Sequence, residues 1–174
     1  MDLMFTSDFD VRKVGRLDVS NPHWARVDLG DLEGQDPRMV LSGRVRAEGL
    51  VGMADAGEIG DLVPTYWAAL FLVSPALVRL LTEARLTGWF LSSVSVLGNP
   101  QAIDLALLQV TGKCMATRAP GVGMELDPKG WDGSDFFLVD GDATIYLSPR
   151  ARLAMKSAGL RNVEVDLAGF EAPQ

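Results

Sequence analysis

The sequence is poor in the residues that build most metal and thiol sites, with one cysteine and one histidine among 174 residues. Cys114 alone cannot form an internal disulfide, which fits a reducing compartment. A structural zinc site normally needs four nitrogen or sulfur ligands, so Cys114 and His23 cannot supply one. His23 lies beside Pro22 in a predicted turn. We therefore expect His23 to be a surface or packing residue and not a catalytic base.

The sequence also lacks basic clusters and long apolar runs. Its net charge is −7, and Lys and Arg are dispersed, which argues against nucleic acid as a partner. The longest apolar stretch, residues 67–78, is too short to span a bilayer and is interrupted by Ser-Pro. No basic segment precedes an apolar one at residues 1–5, so no secretory signal is expected. These features predict a cytoplasmic protein with no membrane partner and no cofactor.

The chain contains one sequence motif that occurs twice. Each copy of the motif consists of an apolar run that ends at Ser-Pro, a short amphipathic stretch, and a second apolar run. The offset that aligns Ser74-Pro75 with Ser148-Pro149 also aligns Leu86 with Leu160. Two unrelated strand–helix junctions that share a Ser-Pro cap are the alternative explanation.

This repeated motif predicts a strand, a helix and a second strand. Serine is a good N-cap, and proline is favoured at the first helical position. Apolar residues then recur at helical spacing in both copies, and these positions are Leu77, Leu80, Leu81 and Ala84, then Ala151, Ala154, Met155 and Ala158. Gly159 is suited to end the second helix in a left-handed conformation, whereas Arg85 occupies the matching place in the first.

We therefore predict an α+β fold, with mixed or antiparallel sheets and two short amphipathic helices from a duplicated strand–helix–strand unit. Residues 1–174 should form a single compact domain with a pseudo-repeat at 66–98 and 136–171, because no long polar linker separates the halves.

Other segments carry weaker patterns. Residues 3–9 and 39–45 are predicted as strands, the latter from alternation of apolar and polar residues. A short strand is expected near 50–53, and a strand buried on both faces at 103–110. Residues 24–37 should be an acidic, loop-rich excursion, and the glycine-rich residues 111–134 mostly irregular.

Four carboxylates crowd residues 132–142, namely Asp132, Asp135, Asp140 and Asp142. Such residues can hold a hard cation or perform acid–base chemistry, so a small metal-binding domain or enzyme is one hypothesis. Asp140-Gly141-Asp142 also lies between two apolar runs, which is typical of a hairpin turn. The turn is the favoured interpretation, and we expect no enzymatic activity.

Two tryptophans lie in polar surroundings and are candidates for exposed interface anchors, a role in which tryptophan is enriched. Together with nearby carboxylates they form the predicted partner-binding set, which is Trp24, Asp28, Asp31, Glu33, Trp131, Asp132 and Asp135.

The last part of the chain resembles bacterial immunity-type proteins of polymorphic toxin systems, including myxobacterial immunity domains and double-CxxCG motif proteins. The resemblance is carried by Trp-Asp-Gly-Ser-Asp-Phe-Phe at 131–137, Ile-Tyr-Leu-Ser-Pro-Arg-Ala-Arg at 145–152 and Ala-Gly-Leu-Arg-Asn-Val-Glu-Val at 158–165. The resemblance extends only loosely to the first copy of the repeated motif. No CxxCG motif is present, so no zinc role transfers. The resemblance implies a cytoplasmic protein that binds and neutralises a cognate toxin, and the acidic charge suits a basic toxin.

Overall fold

The computed structural model describes residues 9–45, 47–119 and 123–171. The predicted strand at 3–9 lies almost wholly outside them. The helices are α1 Pro37–Leu41, α2 Pro75–Glu83 and α3 Pro149–Lys156, with 3-10 turns at Val11–Lys13, Leu32–Gly34, Pro100–Ala102 and Pro128–Gly130. The strands are β1 Gly15–Asp18, β2 Val27–Asp28, β3 Leu50–Ala54, β4 Leu62–Pro64, β5 Phe71–Val73, β6 Trp89–Leu97, β7 Ala106–Val110, β8 Gly112–Lys113, β9 Ala116–Ala119, β10 Gly123–Leu126, β11 Phe136–Leu138, β12 Tyr146–Leu147 and β13 Glu164–Leu167. The α+β prediction is confirmed.

The strands form two mixed sheets and one hairpin. A six-stranded sheet has the order β2-β3-β6-β7-β5-β4, and a five-stranded sheet has the order β13-β1-β12-β11-β8. Strands β9 and β10 pair separately as an antiparallel hairpin. The largest cluster of buried side chains extends from Leu17 to Val165 and draws on both halves of the repeat.

The duplicated strand–helix–strand unit is confirmed, and the two copies share a topology. β5 and β6 are joined through α2 and flank β7, which is antiparallel to both. β12 and β13 are joined through α3 and flank β1 in the same way. The middle strand follows the first copy along the chain but precedes the second, so sequence alignment of the copies alone does not reveal it.

The repeat also includes one more strand than the predicted segment 66–98. β4 pairs with β5 in the register Leu62↔Val73, and β11 pairs with β12 in the register Phe136↔Leu147. The offset that aligns Ser74 with Ser148 relates these two pairs as well. The first copy therefore begins near residue 61 and not at residue 66.

In both copies of the repeat, the serine caps the helix as the sequence predicts. The Ser74 hydroxyl accepts the Leu77 N–H at 3.2 Å, and the Ser148 hydroxyl accepts the Ala151 N–H at 3.1 Å. Gly159 has φ +67°, and Arg85 at the matching place has φ +54°. The first helix thus ends in the same left-handed turn as the second, although it lacks the glycine that favours this turn.

Two carboxylates join the halves reciprocally. Asp61 accepts the Ser74 hydroxyl at 2.6 Å and the Arg161 N–H at 2.6 Å. The equivalent Asp135 accepts the Ser148 hydroxyl at 2.6 Å and, through its other oxygen, the Thr87 N–H at 2.9 Å. Thr87 and Arg161 are themselves equivalent. Each half therefore holds a loop of the other half, an arrangement with pseudo-twofold symmetry.

The predicted strand at 39–45 is wrong, because this segment begins as helix α1. Asp36 caps the helix by accepting the Arg38 N–H at 2.9 Å, and Pro37 occupies its first turn. The buried Gln109 amide then donates to the carbonyls of Val40 and Val45, at 2.6 and 2.9 Å. A side chain from β7 thus satisfies backbone groups that a strand would have paired in a ladder.

Other weaker predictions divide. β3 at 50–54 is confirmed. The doubly buried strand predicted at 103–110 is confirmed only from Ala106, since Leu107 to Val110 are all buried whereas Ile103 follows a 3-10 turn and is 70% exposed. The expectation that residues 111–134 are mostly irregular is wrong, because they contain β8, β9, β10 and a 3-10 turn. These strands are too short to display a two-residue period in the sequence.

Candidate functional site

A groove of about 500 Å³ opens between α1 and the loop that joins β11 to β12. Its wall residues are Asp36, Pro37, Arg38, Met39, Leu41, Ser42, Arg44, Trp67, Ala68, Leu138, Val139, Asp140, Gly141, Asp142 and Ala143. The predicted turn at residues 140–142 forms one wall, since the Asp142 N–H bonds the Val139 carbonyl at 3.1 Å and Gly141 has φ +77°.

The groove carries charges of both signs. Arg38 and Arg44 are exposed on the α1 side next to the exposed Asp36, and Asp140 is exposed on the facing loop. Asp142 accepts hydrogen bonds from the hydroxyls of Thr144 and Tyr146. Burial, and then the hydrogen bond to Asp142, raises the pKa of Tyr146 well above its usual range, so the phenol stays a donor. The groove therefore presents cationic and anionic groups together with apolar side chains such as Leu41 and Leu138.

Beside the groove lies a segment that we call the acidic loop, residues 28–36. Its four carboxylates, Asp28, Asp31, Glu33 and Asp36, are all exposed. The backbone between them is left-handed at Leu32, Glu33 and Gly34, with φ of +58°, +55° and +81°. A non-glycine residue in this region costs about 1 kcal/mol or more. The cost is offset at Leu32, whose side chain is fully buried in the core.

Trp67 connects the acidic loop to the groove. Its indole Nε1 donates to the Gly30 carbonyl at 3.1 Å, while its ring lines the groove. Trp67 is partly buried and packs against the main core. The acidic loop is thus fixed at Leu32 and at Gly30, and its carboxylates are displayed from a rigid support.

Replacing Trp67 with Phe should loosen the acidic loop without emptying the core. The substitution removes one indole–carbonyl hydrogen bond, and we expect the free energy of unfolding to fall by about 1 kcal/mol. Amide hydrogen exchange at Gly30 to Gly34 should accelerate, while exchange in β7 stays unchanged. Trp89→Phe is the matched control, because Trp89 donates to the Leu86 carbonyl, outside this loop. Equal acceleration at residues 30–34 in both variants would contradict the assigned role of Trp67.

The predicted partner residues divide between the surface and the interior. Asp28, Asp31 and Glu33 are exposed on the acidic loop. Trp24 is half-buried, with the Arg161 guanidinium 5.3 Å above its ring. It therefore offers a cation-covered face and not a bare aromatic anchor.

The second predicted patch, at residues 131–135, is held more tightly within the fold. Trp131 stacks on Phe9 with ring centroids 4.2 Å apart, and its indole donates to the Ser134 carbonyl at 2.8 Å. Asp132 is exposed, but its carboxylate accepts the Lys113 N–H at 2.9 Å and bonds Ser134. Through these contacts, Trp131 and Asp132 both stabilise the fold.

Asp135 lies inside the molecule, with only 4% of its surface exposed. Besides Ser148 and Thr87 it binds the Arg150 guanidinium, with Nη2 2.6 Å from its Oδ2. Arg150 in turn donates to the carbonyls of Ala84 and Arg85. Asp135 therefore links the two halves and is too deeply buried to contact a partner.

The alternative prediction of a cation site depends on carboxylates that the structure does not bring together. Across residues 9–45, 47–119 and 123–171, no three His, Cys, Asp or Glu side chains converge as metal ligands. Asp132, Asp135 and Asp142 bind separate protein donors, and Asp140 stands on the groove wall.

Cys114 is buried in a second apolar cluster with Phe137 and Tyr146. Burial, followed by the nearby charges of Asp127 and Asp132, raises the pKa of its thiol to about 12. At pH 8 we expect alkylation by iodoacetamide at least about 100-fold slower than in the urea-unfolded chain, because only the thiolate reacts. Because folding favours the neutral thiol, burial of Cys114 makes its full contribution to the free energy of unfolding below about pH 9. This contribution declines as the pH rises toward 12. Equal alkylation rates in the folded and unfolded chains would contradict the burial of this thiol.

The sequence patterns did not indicate the arginines and the tryptophan of the groove. The predicted strand at 39–45 contains Arg44, and the predicted repeat segment 66–98 contains Trp67. One local signal was present, since Asp36-Pro37 has the same cap-then-proline order as the two Ser-Pro pairs. The placement of α1 opposite residues 138–143 depends on the tertiary fold, which no local pattern reports.

A scan with models of known protein families finds no match to the chain, and a search of curated proteins finds no significant match. No helix in the described part of the chain is long and apolar enough to cross a bilayer.

Proposed function

We propose that this chain is an immunity-type protein, which binds a basic bacterial toxin in the cytoplasm and neutralises it by covering its active site. The observation that carries the proposal is the acidic loop, whose four exposed carboxylates stand on an anchored backbone next to a groove. It acts by binding and requires no chemical step.

Rigidity is the first support. The left-handed residues Leu32 and Glu33 store strain that an unconstrained surface loop would relax. The buried Leu32 side chain and the Trp67–Gly30 hydrogen bond maintain the conformation. A loop fixed in one shape loses little conformational entropy when a partner binds, so more of the contact energy appears as affinity.

Charge is the second support. The net charge of −7 and the exposed acidic loop favour encounters with a positively charged surface. Arg38 and Arg44 on the groove wall interrupt this acidic field. A partner must then match both signs, which fixes its orientation on the loop and excludes proteins that are merely basic.

The resemblance of residues 131–165 to immunity-type proteins is the third support. The residues that carry it build the β11–β12 pair, the Ser148 cap and helix α3. They form the framework of the second half, and the β11–β12 loop contributes one groove wall.

A differential pull-down from the native host tests the proposal. The baits are the tagged wild type, the variant Asp31→Asn/Glu33→Gln, and the control Asp104→Asn/Glu83→Gln, whose positions are also exposed. We expect the wild type and the control to retain the same basic protein at about 1:1 stoichiometry. The acidic-loop variant should retain it at least about tenfold less, because the contact charges are lost. Equal retention by all three baits, or retention of no basic protein, would contradict the proposal.

A further inference from the structure

Strand β13 is the terminal strand of the five-stranded sheet. The Leu17 N–H bonds the Ile145 carbonyl toward β12, whereas the Ala168 N–H bonds the Val14 carbonyl across the β1–β13 ladder. Because strand residues alternate in direction, the backbone groups of Glu164 and Asp166 pair with β1. The backbone groups of Val165 and Leu167 therefore point away from the sheet, and in the described part of the chain no strand lies on that side.

In the first half of the repeat, the equivalent edge is occupied by another segment of the chain. Leu167 is equivalent to Ser93 of β6 by the offset that relates the two copies. The outward N–H of Ser93 donates to the Glu48 carboxylate at 3.0 Å, and its carbonyl accepts the Gly49 N–H at 3.2 Å. Strand β3 then continues beside β6 in parallel. Among the residues that the structure describes, no such segment occupies the edge of β13.

The side chains at this edge are acidic on one face and apolar on the other. Glu164 and Asp166 are exposed and lie across from Asp18 and Arg16 of β1. Glu164 and Asp166 lie two residues apart on the same face of the strand, and the hydrogen bond to Asp166, and then its charge, raises the pKa of Glu164. On the opposite face the Leu167 side chain is 55% exposed.

We propose that the outer edge of β13 binds an extended basic segment of another protein by strand addition. Backbone groups of Val165 and Leu167 would pair with the added strand. Lysine or arginine at alternate positions would lie beside Glu164 and Asp166, and an apolar residue between them would cover Leu167. A second copy of this chain does not fit, because antiparallel pairing of two β13 edges brings like charges together. This surface is distinct from the groove, and neither proposal requires the other.

A peptide of about six residues that alternates lysine and valine is the probe. We expect it to slow amide hydrogen exchange of Val165 and Leu167 at least about tenfold at saturation, because their N–H groups become paired. Exchange of Gly30 to Gly34 in the acidic loop should not change. A peptide of the same length that alternates glutamate and valine should have no effect.

Two variants separate backbone pairing from charge. Leu167→Pro removes an outward donor, which an edge strand tolerates, and should abolish protection of Val165. Glu164→Gln/Asp166→Asn keeps the backbone and should weaken binding of the lysine peptide at least about tenfold, whereas Glu83→Gln should not. Equal protection by both peptides, no protection by either, or dimerisation of the free protein through β13 would overturn the proposal.

Discussion

Asp135→Ala should lower the free energy of unfolding by about 3 kcal/mol. The substitution leaves the Ser148 hydroxyl, the Thr87 N–H and the Arg150 guanidinium without their shared acceptor. Asp61→Ala should cost only about 1 to 2 kcal/mol, because Asp61 is more exposed and accepts from a hydroxyl and a backbone N–H, which are uncharged donors. Urea unfolding of the two variants measures the difference.

Arg150→Ala is the control for the ion pair. Its side chain is 58% exposed, and its removal leaves Asp135 bound to Ser148 and Thr87. The variant also loses the hydrogen bonds to the Ala84 and Arg85 carbonyls, so we expect a cost of about 1 to 2 kcal/mol, smaller than that of Asp135→Ala. A double-mutant cycle then separates the Asp135–Arg150 coupling energy from the contribution that Asp135 makes through Ser148 and Thr87. Equal costs for Asp135→Ala and Asp61→Ala would contradict a dominant joint at Asp135.

Gly88→Ala should destabilise the protein by about 3 kcal/mol or more. Gly88 has φ +88°, and an added Cβ would run into the Phe136 carbonyl oxygen and the Ser134 Cβ, which lies 2.8 Å away. Neither neighbour can move aside easily, because the Phe136 carbonyl belongs to the backbone of β11 and Ser134 is buried. Thermal and urea unfolding would show the loss.

Gly49→Ala is the matched control, because it carries the backbone strain without the collision. Gly49 has φ +79°, and no atom lies within 4 Å of an added Cβ. We expect a loss of about 1 kcal/mol from the left-handed conformation alone. If Gly88→Ala cost no more than Gly49→Ala, the close approach of the halves at residues 88 and 136 would be wrong.

The repeat could be predicted because its signals are local. Ser74 and Ser148 cap their helices through the side chain, and the apolar spacing that follows depends only on the helical period. The left-handed ends at Arg85 and Gly159 occupy equivalent positions, although only glycine favours this turn by itself. Geometry imposed by the repeat outweighs the local preference of Arg85.

The remaining features depend on contacts between distant residues. The alternation at 39–45 indicated a strand, and Gln109, far along the chain, instead satisfies the carbonyls of Val40 and Val45. Asp135 resembled its exposed neighbours in sequence, and its burial follows from Thr87 and Arg150. Strands β1 and β7 occupy equivalent positions in the two copies of the repeat, although β7 follows its copy in the sequence and β1 precedes its own. No local window contains these relations.

The most direct test of the proposed function is neutralisation of the captured partner. The partner is expressed from an inducible promoter in a sensitive host, together with the wild type, Asp31→Asn/Glu33→Gln, or Asp104→Asn/Glu83→Gln. We predict that growth is restored by the wild type and by the control, and not by the acidic-loop variant expressed at the same level. Growth that does not depend on the wild-type protein, or equal rescue by the acidic-loop variant, would contradict neutralisation through this surface.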